Sequence, residues 1–249
     1  MQHLLRKQII LIGLFITVTL SALAQKDEVF QPGHDDLPYY LGMSIGMSNS
    51  YMTFKRGVRF LYPSTTQVSF IQPAYTPYLN LGLTGTLKLN KHFLIRANPT
   101  LLISDKRAAF SYITNSSPID TLQYTIPSTI IDLPIAIKFQ SDRYNAMGYA
   151  DVMRHYVLAG AKLGFDLSSE KAATINTNKT YPNVIKGADF AFEVGLGLSF
   201  YLRYATISPE LKLSYGLRDL RKSDPKGVLL NSVDKVTSNF VYFTIHIEN

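Results

Sequence analysis

The sequence predicts an all-β fold, an eight-stranded antiparallel transmembrane β-barrel preceded by a cleaved signal peptide, on three observations. The chain opens with an export leader. Beyond it, bulky apolar residues alternate with small or charged ones, mostly over 10 to 13 residues at a time, and the connections between these stretches alternate in length. Phe190 to Phe200, FAFEVGLGLSF, carries the argument: Phe, Phe, Val, Leu, Leu and Phe fill every second position, with Ala, Glu, Gly, Gly and Ser between them. A soluble sandwich or lipocalin would turn the bulky row inward. Glycine and serine would then recur on an outer face that has room for anything, whereas a narrow eight-stranded bore has room for little else. The bulky row is therefore assigned to lipid and Glu193 to the inside.

The leader comes first in the chain. His3, Arg6 and Lys7 precede an apolar run from Ile9 to Leu20 and the small residues Ser21, Ala22, Leu23 and Ala24, the pattern of a secretory signal ending in A-x-A. The run falls short of the ~20 residues a spanning helix needs. Residues 1–24 are thus the signal peptide, 25–38 a periplasmic lead segment and 39–249 the barrel. The chain has no cysteine, so no lipid-bearing Cys follows the signal. Without Arg6 and Lys7 the 25 basic residues fall to 23 against 18 acidic, a net +5 that is scattered rather than blocked, which argues against nucleic acid as a partner. The remaining apolar runs are too short for membrane helices. In hydrocarbon only helices and closed barrels satisfy every backbone group, so strands in lipid require closure.

Eight stretches show the period of two. The first, Tyr39 to Ser48, sets Leu41, Met43, Ile45 and Met47 against Gly42, Ser44, Gly46 and Ser48; the second, Leu79 to Leu89, sets Leu79, Leu81 and Leu83 against Asn80, Gly82 and Thr84. The third runs from Phe93 to Ile103 with Arg96, Asn98 and Thr100 inward. The fourth, Tyr124 to Phe139, has Asp132, Ala136 and Lys138 inward, and the fifth, His155 to Leu167, has Gly160, Lys162, Gly164 and Asp166 inward. The sixth extends the FAFEVGLGLSF stretch to Tyr201. The seventh places Ser208, Glu210, Lys212, Ser214 and Gly216 inward, and the eighth opposes Tyr242, Thr244, His246 and Glu248 to Val241, Phe243, Ile245 and Ile247.

Short turns at 90–92, 140–154 and 202–205 alternate with polar segments at 49–75, 104–123, 168–188 and 218–238. Outer-membrane barrels have short periplasmic turns and long outer loops, and an even strand count leaves both termini in the periplasm. Pro99, Pro134 and Pro209 fall within strands of a fold that has no free edge, so bulges or strand ends are expected there. With no Trp, the interfacial belts must be built from the 16 Tyr and 14 Phe; Tyr39, Tyr78, Phe139, Phe200 and Tyr204 are assigned to the periplasmic rim.

The inward rows bring Arg96, Asp132, Lys138, Lys162, Asp166, Glu193, Glu210 and Lys212 into one bore, four charges of each sign. Buried charges persist when paired, so an interior ion-pair network is expected. A gated polar path is the alternative, in a bore too narrow for a porin-like channel. His34, His92, His155 and His246 form no metal-ligand spacing, no nucleophile motif appears, and no cofactor is implied, so the chain is not read as an enzyme. Lys55, Arg56, Arg59, Arg218, Arg221, Lys222 and Lys226 make two outer segments basic. They are either solvated or in contact with lipopolysaccharide phosphates or a partner protein.

Three segments, IDLPIAIKF (131–139), YVLAGAKLGFDLSS (156–169) and YLRYATISPELKLSYGL (201–217), together resemble the PorT family of Bacteroidetes outer-membrane barrels, called SprT in gliding relatives. The likeness runs from about Tyr39 to the end. It implies an accessory component of the type IX secretion system, with outer-membrane lipid, lipopolysaccharide and other secretion components as partners. It carries over no catalytic residue. A general structural or adhesive outer-membrane barrel, with ligand-binding outer loops, is the rival reading, and a soluble periplasmic lipocalin-like binder a third.

Overall fold

A computed structural model describes residues 31–56, 66–73, 75–114, 117–146, 149–168, 173–175, 180–181, 186–221 and 233–249. The signal-peptide assignment lies outside them. Among the described residues no helix is long and apolar enough to cross a membrane. A 3-10 helix, Pro32–Asp36, precedes thirteen strands: β1 (Tyr39–Arg56), β2 (Thr66–Pro73), β3 (Thr76–Lys88), β4 (Phe93–Ala97), β5 (Thr100–Thr114), β6 (Ser117–Gln140), β7 (Tyr144–Ala146), β8 (Tyr149–Asp166), β9 (Ala173–Ile175), β10 (Thr180–Tyr181), β11 (Ala188–Tyr201), β12 (Thr206–Gly216) and β13 (Val233–Glu248).

The sheet closes on itself. β1 pairs antiparallel with β3, Ser44 opposite Gly82, and with β13, Ser44 opposite His246. From β3 the ring continues through β4 and β5, both paired with β6, then β8, β11, β12 and back to β13. Counting β4 and β5 as one interrupted wall strand, eight antiparallel strands form the barrel. Closure leaves the barrel wall no unpaired edge, the condition hydrocarbon imposes.

Sidedness follows the alternation. Along β11, Phe192 is 47% exposed and Glu193 only 1%; along β1, Leu41, Met43, Ile45 and Met47 face outward while Ser44 and Ser48 are buried. The large apolar side chains therefore form the outer surface, and the interior is polar. Apolar side chains interrupt it in clusters, one of Tyr78, Leu102, Ile130, Phe240 and Tyr242 in the half of the bore away from the short turns and another of Ala136, Tyr156 and Leu158. Tyr78 is thus not a rim residue. It shares the inward parity of Asn80, Gly82 and Thr84, and its ring lies 5.7 Å from that of Phe240.

The prolines locate the irregularities. The third expected strand breaks at Asn98–Pro99 into β4 and β5. Opposite the break stands Pro134, inside β6. Its carbonyl accepts from the Asn98 N–H at 3.3 Å, but it has no N–H to return. The Asn98 carbonyl accepts from Thr100 Oγ1 instead, at 2.8 Å. Between β11 and β12 the ladder has pairs at Gly197 with Glu210 and at Phe200 with Ile207, and the two rungs at Ser208 and Pro209 are missing.

Strands also run further than the alternation predicts. β1 continues to Arg56, β13 begins at Val233, β8 begins at Tyr149, and β5 and β6 fill most of 104–123. β2 pairs with β5, β9 with β6 and β10 with β9 beyond the ring, at the end we term the hairpin end; the opposite end, with the short connections, is the turn end. Beyond the lipid the outward row no longer needs apolar side chains, and Met52 and Val236 stay buried on the inward row, so the apolar alternation fades while the ladder goes on.

Candidate functional site

The closed ring turns one row of every wall strand into the bore, and the charges gather there in two hydrogen-bonded groups. Nearer the turn end, Arg96 on β4 reaches across the bore. Its Nη1 donates to Glu210 Oε2 on β12 at 3.0 Å and its Nη2 to Glu248 Oε1 on β13 at 3.0 Å. Tyr156 on β8 donates to Glu210 Oε2 at 2.9 Å, Thr86 donates to Glu248 Oε1 at 3.3 Å, and the Arg96 guanidinium lies 5.3 Å from the Tyr156 ring centre. His246 joins from β13, with Nδ1 3.0 Å from Thr84 Oγ1 and Nε2 3.6 Å from Glu210 Oε1.

Nearer the hairpin end, Lys162 Nζ donates to Asp132 Oδ2 at 3.1 Å and to the Tyr242 hydroxyl at 2.8 Å, and that hydroxyl donates to Asp132 Oδ2 at 2.9 Å. Lys212 pairs with Glu193 at 3.0 Å and sits 4.9 Å over the Tyr242 ring. Of the eight charges picked from the sequence, six form the pairs Arg96–Glu210, Lys162–Asp132 and Lys212–Glu193. Asp166 accepts from Ser128 Oγ at 3.0 Å and from the Ser168 N–H at 2.9 Å. Lys138, 2% exposed, has no ion-pair partner among the described residues; its ammonium rests 4.0 Å over the Tyr156 ring.

The sequence reading missed Glu248, Tyr156, His246 and Arg154 as members of the interior. Glu248 and His246 already stood on the inward row of the last strand, so parity alone would have found them. Tyr156 shares the parity of Gly160 and Lys162. Arg154 was hidden by the assignment of 140–154 to a turn, whereas β8 begins at Tyr149. His246 is buried rather than at the surface because its neighbours in register, Ser44 and Ser208, face the bore.

Lumen glycines make this packing possible. A Cβ on Gly197 would overlap the phenol end of Tyr156, which holds Glu210. Gly197→Ala will therefore destabilise the barrel by roughly 1–3 kcal/mol through overpacking. A Cβ on Gly85 would meet only Leu41 Cδ2 at 3.6 Å, so Gly85→Ala will change stability little. Urea unfolding of the two variants in lipid vesicles compares them.

The lead segment enters the turn end of the bore. His34 is buried between the rings of Tyr40 and Tyr201, with centroids 4.5 and 5.5 Å away. Asp35 receives Arg154 Nη1 on Oδ1 and Nη2 on Oδ2, both at 2.8 Å, while Arg143 Nε lies 3.1 Å from Oδ2 and Lys88 donates to the Asp35 carbonyl. Thr206 donates to the Gln31 side chain and Arg143 to the Gln31 carbonyl. Burial would raise the Asp35 carboxyl, but the charges and hydrogen bonds of Arg154 and Arg143 outweigh it and hold the carboxyl below its usual range.

Burial lowers the His34 imidazole below its ordinary 6.5, against the carboxylates of Glu248 and Asp35, which would raise it; Arg143 and Lys138 lower it further. A lowered folded value means that the undocked segment takes a proton more readily. Docking is then at full strength above ~6.5 and weakens as pH falls through the folded value of His34. Amide exchange at residues 33–37, corrected for its intrinsic pH dependence, will accelerate from about pH 7 to about pH 5, and His34→Asn will remove that acceleration. Asp35 adds a second loss in the same sense, below the ordinary carboxylate range.

Among the described residues no group of three or more His, Asp or Glu could hold a metal ion. Of the basic loop residues, Arg218 is exposed and Arg221 half-buried; Arg59, Lys222 and Lys226 lie outside the described residues.

Residues 24–222 match a family model described as outer membrane protein beta-barrel domain. In shape the chain is similar to Neisserial surface protein A, at 8% identity and TM-score 0.46, covering 85% of this chain and 97% of that one. It is also similar to Ail, the attachment invasion locus protein of Yersinia pestis, at 13% identity and TM-score 0.40, covering 86% and 100%. OprG from Pseudomonas aeruginosa follows at 12% and 0.38, covering 84% and 95%. No curated protein matches the chain by sequence.

Proposed function

The chain belongs to the outer membrane protein beta-barrel domain family, and from that premise we propose that it is a sealed outer-membrane barrel serving as an accessory component of type IX secretion, assisting export or maturation of cargo beside a larger translocon. The observation that carries this reading is Arg96 spanning the bore to Glu210 and Glu248. A polypeptide has no route past a buried, bridged guanidinium in an eight-stranded barrel, so any role in transport is exercised from the barrel's surfaces. The segments IDLPIAIKF, YVLAGAKLGFDLSS and YLRYATISPELKLSYGL, which resemble PorT and SprT proteins, supply the link to type IX secretion.

In this reading the turn end and both termini face the periplasm, the hairpin end faces outward with lipopolysaccharide around it, and other secretion components are the protein partners. Deleting the gene tests it. Cargo bearing C-terminal sorting domains will accumulate unprocessed in the periplasm, and normal secretion in the deletion strain would overturn the assignment.

One observation favours a second reading, an adhesive or structural barrel. The wall strands β5 and β6 continue beyond the ring and carry β2 and β9 with them, forming a sheet outside the lipid. Loss of attachment with normal cargo processing in the same deletion strain would select this reading.

A further inference from the structure

We propose that the mouth of the bore at the turn end is a recognition site for carboxylate-bearing peptide segments, occupied in the resting chain by its own Asp35. The site is built for such a ligand. Arg154 presents both terminal nitrogens to both oxygens of one carboxylate, the fork geometry that guanidinium and carboxylate share. Tyr201 fixes that fork by accepting from Arg154 Nη1 at 3.2 Å, and its ring lies 3.8 Å from the Arg143 guanidinium, which closes on the same carboxylate. With the lead in place both arginine side chains are buried, 4% and 8% exposed, and their contacts with Tyr201 come from the wall rather than from the occupant.

The occupant is the weaker half of the arrangement. The lead helix is five residues long, far below the length at which a helix persists alone. It is held by side-chain contacts at the mouth, separate from the Arg96 and Lys162 groups that tie the wall strands together. A cavity of about 330 Å³ lies beside it, bordered by Lys88, Lys91 and Arg154, so a longer acidic segment has both room and further cations. The bound sequence, PGHDD, is itself a short acidic peptide, and a segment of like chemistry in trans competes for the same two guanidiniums.

That such a segment comes from a periplasmic protein rests on the orientation proposed above. The site does not, and an experiment in detergent micelles reads the site alone. Because the chain has no cysteine, His34→Cys and Tyr40→Cys each introduce a single thiol, one in the lead and one beneath it. In the folded full-length chain both thiols will react slowly with a hydrophilic maleimide at neutral pH. Adding Asp35→Asn will speed both by at least about tenfold through loss of the charge-assisted pair. With Asp35 intact, a synthetic peptide of residues 31–37, QPGHDDL, will speed labelling of His34→Cys saturably by displacing the lead, and its diamide counterpart QPGHNNL will not. Failure of the acidic peptide to accelerate labelling of His34→Cys, or equal acceleration by both peptides, overturns the proposal. So does an Asp35→Asn chain as well shielded as its parent.

Discussion

Arg96→Met will destabilise the folded barrel by roughly 3–5 kcal/mol, the scale seen when one partner of a buried ion pair is removed and the other stays behind. Here two partners stay behind. Glu210 and Glu248 both take their 3.0 Å ion pairs from this one guanidinium, and all three side chains are buried. Tyr156 and Thr86 would still donate to the carboxylates, but neither neutralises them. The loss will appear as a lower urea midpoint in phospholipid vesicles and a lower temperature at which the fast-migrating, SDS-resistant form disappears. Arg96→Met combined with Glu210→Gln and Glu248→Gln will recover most of it, because the two carboxylates that Arg96→Met strands are then replaced by neutral amides. Lys138→Met is the contrast: the ammonium has no ion-pair partner among the described residues, so removing it strands nothing and will leave stability unchanged or raised. An Arg96→Met barrel as stable as its parent would mean that the two carboxylates are hydrated rather than held.

Leu196→Arg will cost roughly 2–4 kcal/mol, the penalty for a cation on the lipid face at mid-bilayer. Leu196 is 58% exposed, pairs with Val157 and Leu211, and lies at the middle of the outward row from Phe190 to Phe200. Tyr204→Arg, in the turn between β11 and β12, will cost only about 0–1 kcal/mol, since at the interface the same charge reaches water. Vesicle unfolding of the pair measures depth directly. Equal penalties at the two positions would place the hydrocarbon elsewhere on the wall.

The ring itself was legible because a spanning barrel strand writes its two environments into alternate residues. Phe190 to Phe200 could be assigned to lipid, with Glu193 inside, from the recurrence of glycine and serine on the charged row. The same logic failed where lipid ends. In β1 beyond Ser48 and β13 before Val241 the outward row turns mostly polar while Met52, Val236 and Phe240 pack inward, so the alternation that marks a lipid-facing strand stops although the strands go on. Tyr78 shows a different failure: its parity is inward, but an aromatic near a strand end was read as a belt residue.

Within the bore, parity gave candidates without partners. It placed Arg96, Glu210, Lys162, Asp132, Lys212 and Glu193 on one surface, yet said nothing of which strands stand opposite across the lumen. Arg96 to Glu248 spans 152 positions, a pairing that exists only once β13 has closed on β1. The docking of Asp35 on Arg154, 119 residues apart, is equally invisible along the chain, because a short polar segment before a barrel carries no periodicity to say where it lies.

Residue order alone thus settled the strand period, the sidedness and most of the interior charges, because each depends on neighbours two positions apart and on the solvent they meet. Strand register, the break at Asn98–Pro99, the choice of ion-pair partners and the seating of the lead at the mouth were decided by closure, since a ring brings together residues that no local rule relates.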